Sequence, residues 1–149
     1  MAKQGLSAAT IAAQAGGYID AASGGVVPPI QPSTTFARDR NYALHASGNI
    51  YARDDNDVGR VAEGLLARLD NAQAALLFPN GMASIAAVFR ALPTGACVLV
   101  QTQIYWGTTK WLRDFCTRRG LNLQEAELSD PAQMQQLCAD YKPDLVFIE

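Results

Sequence analysis

The sequence predicts an α/β fold, a parallel-rich sheet flanked by helices. Two observations carry this. Residues 74–78 (AALLF), 97–100 (CVLV) and 145–148 (LVFI) are short, wholly apolar runs, the signature of strands covered on both faces. The segments between them repeat their apolar residues at helical spacing, and strands alternating with helices of this length imply βαβ units and a parallel sheet.

The elements follow in order. Residues 1 to about 50 are punctuated by Gly16-Gly17, Gly24-Gly25 and Pro28-Pro29 and read as irregular, with Val26, Val27, Ile30, Phe36 and Tyr42 as apolar anchors. So long a structureless stretch is usually functional or held by a partner. Over residues 57–69, Val58, Val61, Leu65 and Leu69 fall on one helical face, with Arg60, Glu63 and Arg68 opposite. Asp54, Asp55 and Asp57 suit the positive end of that helix, and Asn71 breaks it. Strand 74–78 and the turn Pro79-Asn80-Gly81 lead to a helix over 82–92. Strand 97–100 is followed by a helix over 108–119 closed by Gly120. Residues 121–128 are an amphipathic strand. Asp130-Pro131 opens the last helix with an N-cap and a proline at its first position, and strand 145–148 comes last.

Bulk properties exclude several classes. The chain has 149 residues, enough for a domain with a real core. With 17% charged residues and a net charge of −2, it lacks the basic excess of a sequence-independent nucleic-acid binder. No apolar run reaches membrane-spanning length, so no membrane partner is expected. The N-terminus has no compact apolar signal core, and a cytoplasmic location is expected. Cys97, Cys116 and Cys138 form no C-x-x-C pair and His45 is the single histidine, so no metal site is expected and the thiols read as reduced and mostly buried. Asp54, Asn56 and Gly59 fit part of a calcium loop, but Val58 and Leu65 occupy positions that require oxygen ligands.

Three features could hold a ligand. At Asn80-Gly81-Met82-Ala83-Ser84 a strand meets a tight turn and then a helix. The amides of Gly81, Met82 and Ala83 lie at the helix N-terminus, where unpaired N–H groups and the dipole favour a phosphate. Asn80 and Ser84 are placed to add an amide or hydroxyl contact. Read alone, the segment is more often an ordinary βα turn, and it matches neither phosphate-binding glycine motif. In Tyr51-Ala52-Arg53, residues two apart share one side of an extended segment. They offer a hydroxyl and a guanidinium fork to an anion, though an exposed Arg beside a half-buried Tyr is the commoner meaning of such a pair. Tyr105-Trp106-Gly107-Thr108 follows strand 97–100, and open parallel sheets bind ligands beyond the carboxyl ends of their strands. The Tyr105 ring there could stack on a flat heterocycle or pack on the core.

Taken together these stretches resemble a known family. Gly25-Val26-Val27-Pro28-Pro29-Ile30, Pro32-Ser33-Thr34-Thr35-Phe36, Tyr51-Ala52-Arg53, Gly81-Met82-Ala83, Tyr105-Trp106-Gly107-Thr108 and Phe147-Ile148-Glu149 occur in the order found in the N-terminal part of Cys/Met metabolism pyridoxal-phosphate (PLP) enzymes. That group includes cystathionine γ-synthase, cystathionine β-lyase and methionine γ-lyase. The resemblance implies a PLP-dependent transferase fold of the aspartate-aminotransferase type (fold type I), present as a partial large domain. It implies PLP as cofactor, an amino-acid substrate and a homo-oligomer. Gly81 and Met82 would give amides to the PLP phosphate. Tyr105 would stack on the pyridine ring and assist proton transfer. Tyr51 and Arg53 would reach the phosphate of a neighbouring subunit. Residues 1–55 would then be an arm wrapping the partner, and 56–149 the first half of the PLP-binding domain.

Two departures stand out. The family's Asn-Pro-Thr after the Tyr-x-Arg pair is replaced by Asn56-Asp57-Val58, which removes a pre-set first helical residue. The Schiff-base lysine and the aspartate for the pyridine nitrogen lie in a later part of the family's sequence, and the lysines here are Lys3, Lys110 and Lys142. The expectation is sulfur amino-acid chemistry of the cystathionine γ-synthase kind, from a chain that is by itself an inactive fragment. The alternative is a truncated, non-catalytic relative that binds a phosphate ligand or dimerises.

Overall fold

A computed structural model describes residues 6–45 and 48–149, so Lys3 lies outside the described residues. They form two compact units that meet in sequence between Leu77 and Phe78.

The first unit holds two α-helices. Helix α1, Ala8–Ala13, was not expected from the sequence; its start is capped by Ser7, whose Oγ accepts from Thr10 N–H at 3.2 Å. A short 3-10 turn, Ala15–Gly17, follows, and both pieces lie against α2, Asp57–Leu69. Arg68 of α2 donates to the Gly16 carbonyl. Helix α2 has the bounds the apolar spacing predicts. Asn56 caps it, its Oδ1 accepting from Gly59 N–H at 2.8 Å. The side chain thus supplies the helix start without the family's proline. At the other end Asn71 turns left-handed, with φ 52°, and Ala72 N–H closes back on Ala67 O at 2.8 Å. The rest of this unit is irregular, with isolated antiparallel bridges at Thr35–Tyr51 and Arg38–Leu44.

One element differs from expectation. Residues 74–78 form no strand, and Leu76 is 74% exposed. A strand needs a neighbour for its ladder, and no described residue pairs with this segment. Among the described residues it is tied instead by a side chain, Leu77 N–H donating to Glu63 Oε1 at 2.9 Å.

The second unit carries the sheet. Helix α3, Gly81–Arg90, leads to strand β1, Cys97–Gln101. Helix α4, Trp106–Arg119, then leads to β2, Asn122–Ala126, and α5, Pro131–Tyr141, to β3, Leu145–Phe147. The strand order is β2-β1-β3 and both pairings are parallel, with Val98 opposite Leu123 on one side and Leu145 on the other. Asp130 caps α5 through Ala132 N–H at 2.9 Å, with Pro131 at its first position. Gly120 ends α4 at φ 70°, where a side chain would be strained.

The core sits between β1 and the helices. Phe89 of α3, Val98 and Val100 of β1, and Leu112 and Cys116 of α4 form one buried cluster with Ala96 and Leu121. Phe89 meets Trp111 and Phe147 edge-on at 6.1 and 5.6 Å between ring centres. Leu99, alternating with Val98 and Val100, is fully buried on the other face, as a strand covered on both sides requires.

At the amino ends of the strands the turns are tied to each other. Gly95 N–H donates to Gly120 O at 2.8 Å, and Asn122 Nδ2 donates to Gly95 O at 2.9 Å. Cys97 N–H donates to Asp144 Oδ2, and Asp144 N–H to Cys97 O, each at 2.8 Å.

Candidate functional site

The turn from Asn80 into α3 is built by Asn80 itself. Its backbone is extended, with φ −163° and ψ 166°, and its Oδ1 accepts from Ala83 N–H at 2.8 Å. That takes Ala83 out of the set of amides offered to a ligand. Ser84 is occupied as well, its Oγ donating to Gly81 O at 2.7 Å. Among the described residues no acceptor meets the N–H of Gly81 or Met82. A Cβ placed on Gly81 would meet nothing within 4 Å, so open space adjoins the two free amides. Adjacent unpaired donors at the positive end of a helix suit an anion.

The α4 start is linked to this turn. Thr108 is fully buried, and its Oγ1 lies 3.6 Å from Met82 Sδ. Tyr105, three residues earlier, is the first flanking residue of α4 at φ −50° and ψ 127°, and its side chain caps nothing. Its ring is 52% exposed and tilted against Trp106 at 5.8 Å. The fold therefore brings the Gly81-Met82 turn and the Tyr105-to-Thr108 segment into contact through Met82, and leaves the Tyr105 ring open to solvent.

In the first unit, Tyr51 and Arg53 touch each other. Arg53 Nη2 donates to Tyr51 Oη at 2.9 Å, and the guanidinium lies over the ring at 5.2 Å from its centre. The backbone is not extended through both residues. Tyr51 ends a bridge with Thr35, and Asp54 N–H turns back to Tyr51 O at 2.9 Å. The shared side arises from that turn.

The loop carrying this pair is pinned by Asn49, which has no signal in the sequence, together with Arg60 and two aspartates. Asn49 is 3% exposed and donates through Nδ2 to Asp57 Oδ2 at 3.0 Å. Its Oδ1 accepts from Arg60 Nη2 at 2.5 Å, and Arg60 also pairs with Asp55 and Asp57. Arg60 had read as solvated helix face. The acidic run at 54–57 was its legible complement, but Asn49 carries no sequence signal of burial.

The cysteines are all free. Burial and then the Glu125 charge push the Cys116 thiol up, which keeps it protonated and inert. Among the described residues no helix is long and apolar enough to cross a membrane.

The profile of the family described as Cys/Met metabolism PLP-dependent enzyme matches residues 9–149. The chain belongs to this family. Among curated relatives of this PLP-dependent family, cystathionine γ-lyase of Bos taurus is 32% identical over 124 residues, 83% of this chain and 30% of that protein. A probable cystathionine γ-synthase of Herpetosiphon aurantiacus is 29% identical over 143 residues, 95% of this chain and 43% of that protein. The solved cystathionine γ-synthase of Xanthomonas oryzae pv. oryzae in complex with cystathionine superposes with a TM-score of 0.83 at 29% identity, covering 97% of this chain and 37% of that one. The chain thus spans less than half the length of these relatives. The fold is the PLP-dependent transferase fold expected from the sequence, and pyridoxal phosphate is the family's cofactor.

Proposed function

We propose that this chain supplies the phosphate- and ring-holding part of an enzyme of sulfur amino-acid metabolism. Its reaction is elimination or replacement at the β- or γ-carbon of a small amino-acid substrate, of the cystathionine γ-synthase kind, in the cytoplasm. The observation that carries this is the pair of free amides at Gly81 and Met82 beside open space.

Those residues fit the cofactor. The Gly81 and Met82 N–H groups donate to its phosphate, and the α3 dipole favours the charge. The exposed Tyr105 ring would stack on the cofactor's pyridine ring, and the Tyr105 Oη would hold or move a proton. The bound cofactor supplies an electron sink for a carbanion at the substrate α-carbon. Tyr51 and Arg53, already joined, offer a hydroxyl and a fork to the phosphate of a neighbouring subunit in a homo-oligomer. Residues 1–55 are the arm that wraps that partner, and 56–149 the first half of the cofactor-binding domain. Support comes from the arm's bare apolar side chains, with Val26 71%, Val27 72% and Ile30 96% exposed.

By themselves the 149 residues hold the cofactor without a covalent link. Lys110 is an exposed residue of the second turn of α4, and Lys142 terminates α5 in a left-handed conformation.

The test titrates the chain with pyridoxal phosphate and with inorganic phosphate, wild type against Gly81→Pro. Proline is favoured at the first helical position and follows an extended residue readily, so this variant deletes one N–H and keeps the helix. A lost hydrogen bond to a charged group is worth about 1.5–3 kcal/mol, so both ligands should weaken by ~10-fold or more. Equal affinities in the two proteins would remove the phosphate nest. Borohydride treatment of the loaded chain should leave its mass unchanged, and a pyridoxyl adduct on Lys110 would refute the noncovalent reading.

A further inference from the structure

We infer that Gly107 is a positioning residue for Tyr105: its missing Cβ is the space that the Tyr105 ring occupies. A Cβ built on Gly107 would lie 2.5 Å from Tyr105 Cε1, 3.0 Å from Cζ and 3.2 Å from Cδ1. No real Cβ sits 2.5 Å from a non-bonded carbon of another residue, so any side chain at 107 moves the ring.

The backbone conformation at this position does not ask for glycine. Gly107 is not among the residues with positive φ, and it lies inside α4. In a helix, glycine is less favourable than alanine. Local backbone preference therefore argues for alanine, and the ring argues against it. The neighbours complete the seat. Trp106 flanks the ring at 5.8 Å, and buried Thr108 anchors the same turn to Met82. Glycine 107 is the floor on which the ring lies, so it selects the pose that Tyr105 presents.

The consequence for binding rests on the reading of Tyr105 as the ring that stacks on the cofactor. Wild type, Gly107→Ala, Tyr105→Leu and the double variant are compared in the full chain. Without ligand, the Gly107 Hα resonances should be displaced upfield by the Tyr105 ring current, and Tyr105→Leu should return them to ordinary positions. With ligand, Gly107→Ala should weaken pyridoxal phosphate by ~3- to 10-fold, the worth of one aromatic stacking contact. Inorganic phosphate, which needs only the amides, should bind unchanged, and Tm should hold or rise. The double variant should bind like Tyr105→Leu alone, because without the ring the added methyl has nothing to displace.

Undisplaced Gly107 Hα signals overturn the inference whatever the ligand does. So does a Gly107→Ala protein that binds pyridoxal phosphate like wild type. A wild type that binds pyridoxal phosphate no better than inorganic phosphate sinks the stacking role of Tyr105, while the ligand-free spectrum still decides whether Gly107 seats the ring.

Discussion

Glu125 and Arg113 meet through two parallel bonds, Nε to Oε1 at 2.8 Å and Nη2 to Oε2 at 2.7 Å. The hydrogen bonds from Arg113 hold the Glu125 carboxyl below its usual range, against a smaller opposing effect of burial. The unfolded chain therefore binds a proton more readily than the folded one, and stability rises with pH through this group. Its contribution is complete above the unfolded carboxylate's own value, about 4.3, and disappears as pH falls through the lower folded value. Glu125→Gln should lower the urea midpoint at neutral pH, and the two proteins should converge on acidification. A gap that stays constant down to low pH would show that the carboxylate charge contributes nothing. Neither partner is conspicuous in the sequence. They are 12 positions apart on α4 and β2, and only the packing of helix on strand joins them. The Tyr51-Arg53 pair was legible because its members are two residues apart. The seat under Tyr105 was not, since an unremarkable glycine at helix position 107 says nothing about the ring it leaves room for.

Helices announce themselves by spacing and by their caps. The bounds of α2 follow from the repeat of Val58, Val61, Leu65 and Leu69, with Asn56 and Asn71 at its two ends. Asn56→Ala should cost about 1 kcal/mol, read in a chemical melt, and Asn56→Asp should recover most of it, because a carboxylate accepts the same Gly59 N–H. If the two variants melt alike, the cap is not what holds this helix start. Helix α1 escaped notice because its apolar residues are mostly alanines, which mark no face, and a lone Ser7 is a common residue. Residues 74–78 were misread for the opposite reason. Their composition is that of a buried strand, but composition reports what a segment suits, not which neighbour is there to pair with it.

At the scale of the molecule, the sheet-bearing unit depends on one aromatic cluster. Phe89 is fully buried and touches rings from α4 and β3. Phe89→Ala should cost about 3–5 kcal/mol, a large share of the roughly 5–15 kcal/mol that keeps a typical domain folded. The urea midpoint should drop steeply with little change in slope, and a shift below 1 kcal/mol would mean that the cluster repacks around the gap. The parallel architecture was legible because apolar runs and helical periods alternate, and the family because six short stretches keep their order. The strand order β2-β1-β3 was not, since it depends on which side of β1 each returning helix takes.

The ties among Gly95, Gly120, Asn122, Cys97 and Asp144 bind the entrances of all three strands into a rigid footing. Among the described residues the exits, where Tyr105 and the turn after β2 emerge, are tied strand to strand at Thr102 alone, whose N–H donates to Ala126 O and whose Oγ1 donates to Glu127 Oε2, and nothing there reaches β3. Evolution can therefore lengthen, reshape or recharge the upper loops to suit a new leaving group while the foundation beneath stays put.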